Sequence, residues 1–503
     1  MSAPENQKCT LYSLITSDPG LPRPFTKPPY WLHMPCALAK HQSPSLQSKV
    51  DVIVIGSGIT GASVAHTLLE SDPTISVTLL EARSLCSGAT GRNGGHIVAY
   101  GGGDYAILKK KFGVEEALNI IDFTFSTLDD LVELVRRNGW EKDVEYRPVT
   151  RIKTFGDQDT LLSTKKSVAE FSAERPTMDR VYNFIGPEEA AMDHGIQGVT
   201  GALLFPAHAI WPYKLVSKVF ERLVGHYPSR FHLETNTPAL SIAVDETFPK
   251  SNHRYVVTTP RGSIQATHVV HATNGYAGHL IPELRGRLYP YRGSMTVQNF
   301  ESKTPNQGDQ YTWSHHHMPR YDPASGTTIP GTYYLQQNAN SGYFFFGGER
   351  TTPDQSINTD DTQPVKSATK HLESKLTSLL GQDPQSRHTV SEWAGVMGYT
   401  ADKLPLVGRI PSTVSARHEG EWISAGFNGM GMCYAWRAGK GVAKMILGED
   451  VSGWLPKSFV LSEERLKHRL VTQASLQDLK GYFPRATLAG DTTLKLGSRS
   501  SLL

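Results

Sequence analysis

Three glycines mark the first chemistry this sequence can do. The β-branched run Val52-Ile53-Val54-Ile55 ends in Gly56-Ser57-Gly58-Ile59-Thr60-Gly61, and a helical stretch leads on to a second apolar run ending at Glu81. Strand, glycine turn, helix and strand in that order form a dinucleotide-binding unit. Gly56 permits the tight turn, Gly58 lets backbone approach a pyrophosphate, and Gly61 lets helix pack on strand. The helix start at Ile59 and Thr60 offers N–H groups and positive potential to the phosphates. Glu81 follows at about the distance from which a carboxylate accepts hydrogen bonds from ribose hydroxyls. A glycine-rich turn without a ligand is the bland alternative. The strand Ile75 to Leu80 and the helix Ala62 to Leu69 weigh against it, because they supply the context the glycines need.

The next segment bears on which dinucleotide is bound. Glu81-Ala82-Arg83 runs into Cys86-Ser87-Gly88-Ala89-Thr90-Gly91-Arg92-Asn93-Gly94-Gly95-His96, a stretch with four glycines in eleven residues. Such a stretch cannot hold a helix or strand alone, since each glycine loses extra backbone entropy on ordering. Packed against the first unit, it could offer backbone N–H groups to the pyrophosphate and to the face of an isoalloxazine ring. At His96 a place beside the flavin and a solvated loop position are equal readings.

With these residues the chain resembles the D-amino-acid oxidase-like family of FAD-dependent amine oxidoreductases, whose members carry a Ser-Gly-Ala-Ser/Thr-Gly-Arg-Asn-Gly-Gly type loop here. Within it, the chain is most similar to the γ-glutamylputrescine oxidase branch and its fungal relatives. Separated blocks from Pro29 to Leu447 carry the resemblance. Phe205-Pro206-Ala207-His208 and Trp211-Pro212 resemble the segment leading into the helix that follows. Thr237-Pro238-Ala239-Leu240 resembles the crossing where the backbone at Ala239 meets the adenine. His271-Ala272-Thr273-Asn274-Gly275 is similar to the end of the strand that returns under the cofactor, and Tyr291-Arg292-Gly293 to the entry into the substrate domain. Gly426-Phe427-Asn428-Gly429-Met430-Gly431-Met432 resembles the closing flavin segment.

What the resemblance implies is an α/β fold: a discontinuous Rossmann-like FAD-binding domain with an interleaved α+β substrate domain built on an antiparallel sheet. The expected division is an N-terminal arm over 1–47, the FAD domain over 48–143, 200–290 and 391–450, the substrate domain over 144–199 and 291–390, and a polar tail over 451–503. The implied reaction oxidises a C–N bond of an amine or amino-acid-type substrate by hydride transfer to flavin N5, after which the imine hydrolyses. Positioning and desolvation carry such catalysis and the chemistry belongs to the cofactor, so no catalytic side chain is forced by the sequence. An FAD monooxygenase, a tailoring oxidase or dehydrogenase of secondary metabolism, and a non-catalytic flavin-binding protein share these motifs and stay open as alternatives.

Two departures from the family matter. Sarcosine oxidases attach flavin through a cysteine in a Cys-Met-Tyr-Thr run, and the comparable stretch here is Val396-Met397-Gly398-Tyr399-Thr400, without a thiol. Non-covalent FAD is therefore expected. The same branch activates oxygen with a lysine on a strand that matches Tyr343 to Phe346, where no lysine stands. Oxygen or another electron acceptor both fit.

Arg292 and Arg350 fall where the family's chain borders the flavin, and a guanidinium there could clamp a substrate carboxylate bidentately; domain-packing ion pairs explain them equally well. Tyr343, Tyr399 and Trp393 could line an aromatic cage for an amine, or serve as core. His315-His316-His317 does not make a metal site, because neighbouring side chains cannot converge on one ion without a bent loop. After the glycine elbow, Tyr434 to Leu447 reads as a helix whose start would aim positive potential at flavin N1 and the C2 carbonyl, where charge collects on reduction. Alternatively, Gly429 and Gly431 permit close packing of that helix on the sheet.

The rest of the chain positions these groups. Tyr105 to Asn138 carries Leu118, Ile121, Phe125, Leu128, Val132 and Val135 at helical spacing, as amphipathic helices over the sheet do. Tyr255 to Thr259 and Ser263 to Val270 flank Pro260-Arg261-Gly262 as a hairpin. Met1 to Ser48 is a polar, proline-bearing arm with Tyr30-Trp31-Leu32 as its apolar anchor, and its start, Met1 to Pro24, lacks the pattern of a secretory signal. Lys and Arg total 51 against 48 for Asp and Glu, a balance that favours neither nucleic acid nor an anionic membrane surface. No apolar run approaches the ~18 residues that span a bilayer. Cys9, Cys36, Cys86 and Cys433 lie far apart without metal-like spacing, so no disulfide framework or metal is expected. Ser501-Leu502-Leu503 lacks the basic residue of a Ser-Lys-Leu end, and the cytoplasm is expected over the peroxisome.

Overall fold

A computed structural model describes residues 10–25, 27–245, 254–301, 305–348, 350–417 and 419–488, apart from the side chains of 179 and 180. Cys9 and Ser501-Leu502-Leu503 lie outside the described residues. Val52, Ile53 and Val54 are fully buried, which follows from a strand in mid-sheet with cover on both faces. Alternation sends Val52 and Val54 into a core shared with helices, and Ile53 and Ile55 into one shared with Val257 and Ile264. The strand Lys49–Ile55 pairs parallel with Gly262–His271 on one side and Val77–Leu80 on the other. Among the described residues the sheet has eight strands, ordered Leu406–Arg409, Glu421–Ala425, Gly262–His271, Lys49–Ile55, Val77–Leu80 and Phe231–Glu234, with Tyr255–Thr259 and Ser241–Val244 branching from Gly262–His271.

Two helices start at the carboxyl ends of parallel strands in this sheet, the edge where such sheets bind ligands. They are Ile59–Ser71, after Lys49–Ile55, and Gly431–Ile446, after Glu421–Ala425. The helices cross closely: a Cβ at Gly439 would fall 2.8 Å from Thr60 O and 2.9 Å from Ser63 Cβ. Ser63 Oγ donates to Trp436 O at the same crossing. The amphipathic helices read from the sequence are Gly102–Phe112 and Val114–Arg137; Leu118, Ile121, Leu128 and Val135 are buried, and Phe125 and Val132 half-buried.

A second sheet of nine strands among the described residues runs Arg387–Thr400, Leu288–Phe300, Phe344–Gly348, Thr332–Gln337, Tyr311–His316, Arg147–Phe155, Gly201–Ala209 and His96–Ile97, with Asn183–Ile185 branching from Gly201–Ala209. It is antiparallel except where Tyr311–His316 meets Arg147–Phe155. One face is apolar: Ile152, Trp313, Leu335, Phe344 and Phe346 pack with Leu372 and Leu376 of the helix Lys366–Leu379. The register puts Arg151, Thr312 and Gln336 in one row across the other face, and Lys153, Ser314 and Tyr334 in the next.

The structure moves three expected boundaries. Gly201–Ala209, expected in the cofactor domain, pairs residue for residue with Arg147–Phe155 of the substrate sheet. Arg387–Thr400 crosses the expected boundary at 391 and pairs along its whole length with Leu288–Phe300. Period-2 patterning marks a strand but does not say which sheet it joins, and this is the physical reason for both shifts. Beyond 451 the chain forms Glu463–His468 and Thr472–Tyr482 rather than a plain polar tail. Leu476, Leu479 and Phe483 make a helical stripe that meets Leu11, Ile15 and Tyr289, so the N-terminal arm has a second anchor. Among the described residues no helix is long and apolar enough to cross a membrane.

Candidate cofactor and substrate site

At the end of Lys49–Ile55 the three glycines do different work. A Cβ at Gly61 would fall 1.9 Å from Gly56 O, and one at Gly56, where φ is +111°, would fall 2.6 Å from Ala272 O. Both glycines are required by the protein's own backbone. A Cβ at Gly58 would meet only the Thr90 side chain, with its hydroxyl at 3.1 Å. Gly58 caps the helix Ile59–Ser71 in extended backbone, and Ile59 N–H donates to Thr90 Oγ1. Glu81, nearly buried, accepts from Ser57 N–H at 3.0 Å, from Ser57 Oγ at 2.7 Å and from Arg83 N–H at 2.8 Å. Thr237 N–H donates to Glu81 O, which brings the buried Ala239 segment alongside.

The loop Cys86–His96 is held from outside, as its composition demands. Ser57 Oγ accepts from Cys86 N–H at 2.7 Å. Trp393 Nε1–H donates to Arg92 O at 2.9 Å, and Trp31 Nε1–H to Asn93 O at 2.6 Å. Trp31 itself stacks on Phe345 with centroids 4.2 Å apart. Gln336 donates its amide to Gly94 O at 2.8 Å and Gly95 O at 3.0 Å while accepting from Arg147 Nη2 at 2.8 Å. Arg83 and Arg92 turn their guanidiniums away from solvent to Asp361: Arg83 pairs with its carboxylate at 2.8 Å, and Arg92 at 3.3 Å while donating to the Ser87, Asp361 and Ala394 carbonyls. Their side chains therefore lock the loop to the substrate domain. Burial lowers the Arg92 guanidinium to about 10, against the pull of Asp361, and it stays charged at neutral pH.

The closing segment is also built by the protein. Gly426, Asn428 and Gly429 all have positive φ, at +74°, +51° and +83°. Asn428 Oδ1 accepts from Thr400 N–H at 2.8 Å and its Nδ2 donates to Gly426 O at 2.6 Å; Asn274 Oδ1 accepts from Gly426 N–H at 3.0 Å. The helix Gly431–Ile446 opens directly after Met430, three residues before the expected start at Tyr434, and presents its N-terminal potential at this elbow. Tyr399 and Met397 flank Gly429, at 3.2 and 3.6 Å from where its Cβ would be.

These residues fit a flavin dinucleotide. The space beside Gly58 is open apart from Thr90, and Thr273 Oγ1, Arg92 Nη2 and His96 Nε2 are buried without a partner among the described residues. Native buried polar groups are rarely left so, and a polar ligand accounts for them. The Cys86 and Cys433 thiols are pushed well up by burial, so neither is a thiolate.

The substrate candidates fall out differently from the expectation. Arg292 donates to the Gln355 and Asp360 carbonyls, and Arg350 to Asp322, Ser325 and Thr327. Both guanidiniums are engaged in holding loops: Arg292 reaches from within the strand Leu288–Phe300 to the carbonyls of Gln355 and Asp360, and Arg350, just past the end of Phe344–Gly348, meets Asp322. The aromatic cage does not assemble: Tyr343 meets Tyr30 edge-on, Tyr399 tilts on Tyr291 at 4.6 Å, and Trp393 serves the Arg92 carbonyl. Strand alternation splits the histidine run, with His315 and His317 near Tyr333 on the apolar side and His316 bonded to Ser314 on the other. His96, at the loop's end, is hydrogen-bonded at Nδ1 to Thr312 Oγ1 at 2.6 Å and faces Arg151 Nη1 at 3.3 Å. Burial, with Arg151 and Arg147 near, holds its imidazole well below the ordinary value, so it is neutral. Sequence reasoning missed Gln336, Asp361 and Arg151; cations at alternate positions of Arg147–Phe155 were the available signal for the last.

The family model described as FAD dependent oxidoreductase, abbreviated DAO, matches residues 51–445. Gamma-glutamylputrescine oxidoreductase of Escherichia coli (strain K12) is 27% identical over 246 residues, which cover 48% of this chain and 53% of that protein. The chain thus spans about half the length of that relative. A probable oxidoreductase, OrdL, of Rhizobium meliloti (strain 1021) is 23% identical over 413 residues, 80% of this chain and 84% of its own. Among solved structures, glycine oxidase from Geobacillus kaustophilus superposes with a TM-score of 0.63 at 18% identity, covering 83% of this chain and 99% of that one.

Proposed function

The chain belongs to the DAO family of FAD-dependent oxidoreductases, and from that premise we propose that it oxidises a carbon–nitrogen bond of a small amine or amino-acid-type substrate. The observation that carries this reading is the polar face of the nine-stranded sheet, whose Gln336 grips the Gly94 and Gly95 carbonyls and whose next row holds Tyr334. An internal sheet face is ordinarily apolar, as the opposite one is here, and polar groups there are explained by a polar ligand. The residues around Gly58, Thr90 and the Gly94–Gly95 loop would hold FAD, which when bound would supply a hydride acceptor for the carbon bearing nitrogen; water would then convert the imine to a carbonyl compound and an amine.

The chain's own groups set the conditions. Gln336, Trp31 and Trp393 fix the loop that borders the cofactor, and Tyr334 stands against Gly94, where a Cβ would come within 2.8 Å of its ring. Arg151 and Lys153 make the polar face electropositive, which disfavours an ammonium and favours the neutral amine that can lose hydride. His96, neutral, supplies a hydrogen-bond donor and no proton sink. In this reading the two electrons would pass on to oxygen or another acceptor, in the cytoplasm.

Two measurements address the proposal. Anaerobic addition of a panel of primary and secondary amines is expected to bleach the yellow protein with at least one member, releasing one carbonyl product per flavin; substrate-dependent NAD(P)H consumption instead would point to a monooxygenase. Acid precipitation is expected to release all the flavin into the supernatant, since Met397 is no nucleophile and both buried thiols are protonated. Colour retained in the denatured pellet would contradict non-covalent binding.

A further inference from the structure

The N-terminal arm is tied down at both ends and runs without strand pairing between them. Its start packs through Leu11 and Ile15 on Leu476, Leu479 and Phe483, and its end enters the strand Lys49–Ile55. From Asp18 to Ser48 it carries seven prolines, which have no N–H to give a sheet, and among the described residues its one helical element is the single turn Tyr30–Leu32. This middle stretch lies across the loop that borders the cofactor. Arg23 O accepts from Arg83 Nη1 at 3.1 Å, and the half-buried Phe25 ring has the Arg83 and Arg92 guanidiniums 5.5 and 5.2 Å from its centre. Trp31, fully buried, donates to Asn93 O, stacks on Phe345 of the substrate sheet, and accepts at its own carbonyl from Trp211 Nε1–H at 3.0 Å. Leu32 Cδ1 lies 2.7 Å from where a Cβ of Gly91 would stand. Ala39 O accepts from Leu85 N–H at 3.0 Å, and His41 O from Thr235 N–H at 2.9 Å. One segment thus touches the loop from Arg83 to Asn93. On another side the loop meets the glycine turn, where Thr90 Oγ1 accepts from Ile59 N–H and Ser57 Oγ from Cys86 N–H.

A dinucleotide held between the glycine turn and this loop leaves only when the loop moves. Gln336 and Trp393, which also hold the loop, stand in strands of the substrate sheet, so freeing it there disturbs paired strands. The arm can lift by giving up single hydrogen bonds and a few ring contacts, and segments held in that way open at the low end of local free energies. We propose that Asp18 to Ser48 is a strap that gates the cofactor: FAD enters and leaves when Phe25, Trp31 and Leu32 lift from the loop, and bound FAD in turn holds the strap down. The coupling is reciprocal, because whatever favours the closed strap favours the bound cofactor by the same amount. Phe25 and Trp31 act through the loop and are positioning residues. The inference concerns the cofactor alone and holds whatever the substrate.

The test follows release of FAD from the purified holoenzyme by exchange against excess 8-chloro-FAD, read from the absorption spectrum. Phe25→Ala removes the ring between the two guanidiniums, and Trp31→Phe keeps a ring on Phe345 while deleting the donor to Asn93 O. Each is expected to speed release by ~10-fold or more, a change that needs only about 1.4 kcal/mol. Leu372→Ala is the control: it opens a cavity in the core on the far face of the nine-stranded sheet, lowers the melting temperature, and should leave the release rate as in wild type. Wild type supplies a second measurement that needs no variant to fold. Trypsin can cut the strap after the exposed Lys40, between the pinned carbonyls of Ala39 and His41, whereas Arg23 and Lys27 are each followed by proline. Protein stripped of FAD is expected to be cut at Lys40 at least ~10-fold faster than holoenzyme, with re-added FAD restoring resistance and the lysines of the helix Pro212–His226 staying uncut. Unchanged release in both strap variants overturns the gate. So does equal acceleration by Leu372→Ala, which would tie release to overall stability. Equal cutting at Lys40 with and without FAD overturns it too, as does cutting of Pro212–His226 at the same rate as Lys40 in the stripped protein, which would make loss of FAD a global unfolding.

Discussion

Valine in place of Gly58 is expected to give a folded protein with little or no FAD, whereas valine in place of Gly61 should not fold. At Gly58 the backbone lies at φ −71°, ψ −178°, which valine adopts without strain, and the nearest atom to a new Cβ is the Thr90 hydroxyl at 3.1 Å, on a side chain that can rotate. The protein itself therefore tolerates the change, and what the branched side chain excludes is the pyrophosphate. Loss of a close backbone approach to phosphate should weaken FAD by at least ~100-fold, about 2.7 kcal/mol. At Gly61 the Cβ would overlap Gly56 O at 1.9 Å, a clash with backbone that no rotamer relieves. Circular dichroism, thermal melting and the flavin-to-protein ratio of the two variants separate these effects. A Gly58→Val protein with full flavin occupancy would place the pyrophosphate elsewhere.

Asp361→Ala should be among the most damaging single changes outside the glycines. The side chains of Asp361, Arg83 and Arg92 are 1%, 6% and 2% exposed, and the aspartate pairs with both guanidiniums. Removing it leaves two like charges buried together, a cost of ~3–5 kcal/mol by comparison with other broken buried pairs. Because Arg83 and Arg92 both hold the Ser87 carbonyl, the loop to Gly95 should loosen as well, and FAD affinity should fall with stability. Arg23→Ala is the control: its pair with Asp360 has a 62% exposed guanidinium, and such pairs contribute ~0–1 kcal/mol. Urea unfolding of both variants, with and without excess FAD, measures the contrast. Equal destabilisation by the two would show that the buried network is not what holds the loop.

Local pattern made the cofactor half of this protein legible. Val52 to Ile55 read as a buried parallel strand because β-branched residues fill it, and Gly56, Gly58 and Gly61 are spaced by the turn they make. The hairpin Tyr255–Thr259 with Gly262–His271 and the helix Gly431–Ile446 emerged near their expected bounds for the same reason. The clamps on the glycine loop were not legible, since Trp31, Gln336, Asp361 and Trp393 lie far from it in sequence and no local rule pairs them. Nor was the role of Gly201–Ala209, whose partner strand is set by chain topology. The substrate arginines were misjudged in one informative way. Nearness to family motif blocks favoured Arg292 and Arg350, yet both have protein partners that hold loops, and a motif block does not say which of its side chains the fold itself engages.

Single-turnover reduction of the flavin tests the central claim most directly. Under anaerobic conditions the holoenzyme would be mixed with carboxylated amines carrying either hydrogen or deuterium on the carbon next to nitrogen. The account predicts that the flavin is reduced, that deuterium at that carbon slows the reduction, and that the carbonyl product forms in step with loss of colour. Flavin that no carboxylated or neutral amine reduces, but that NAD(P)H does, would contradict it.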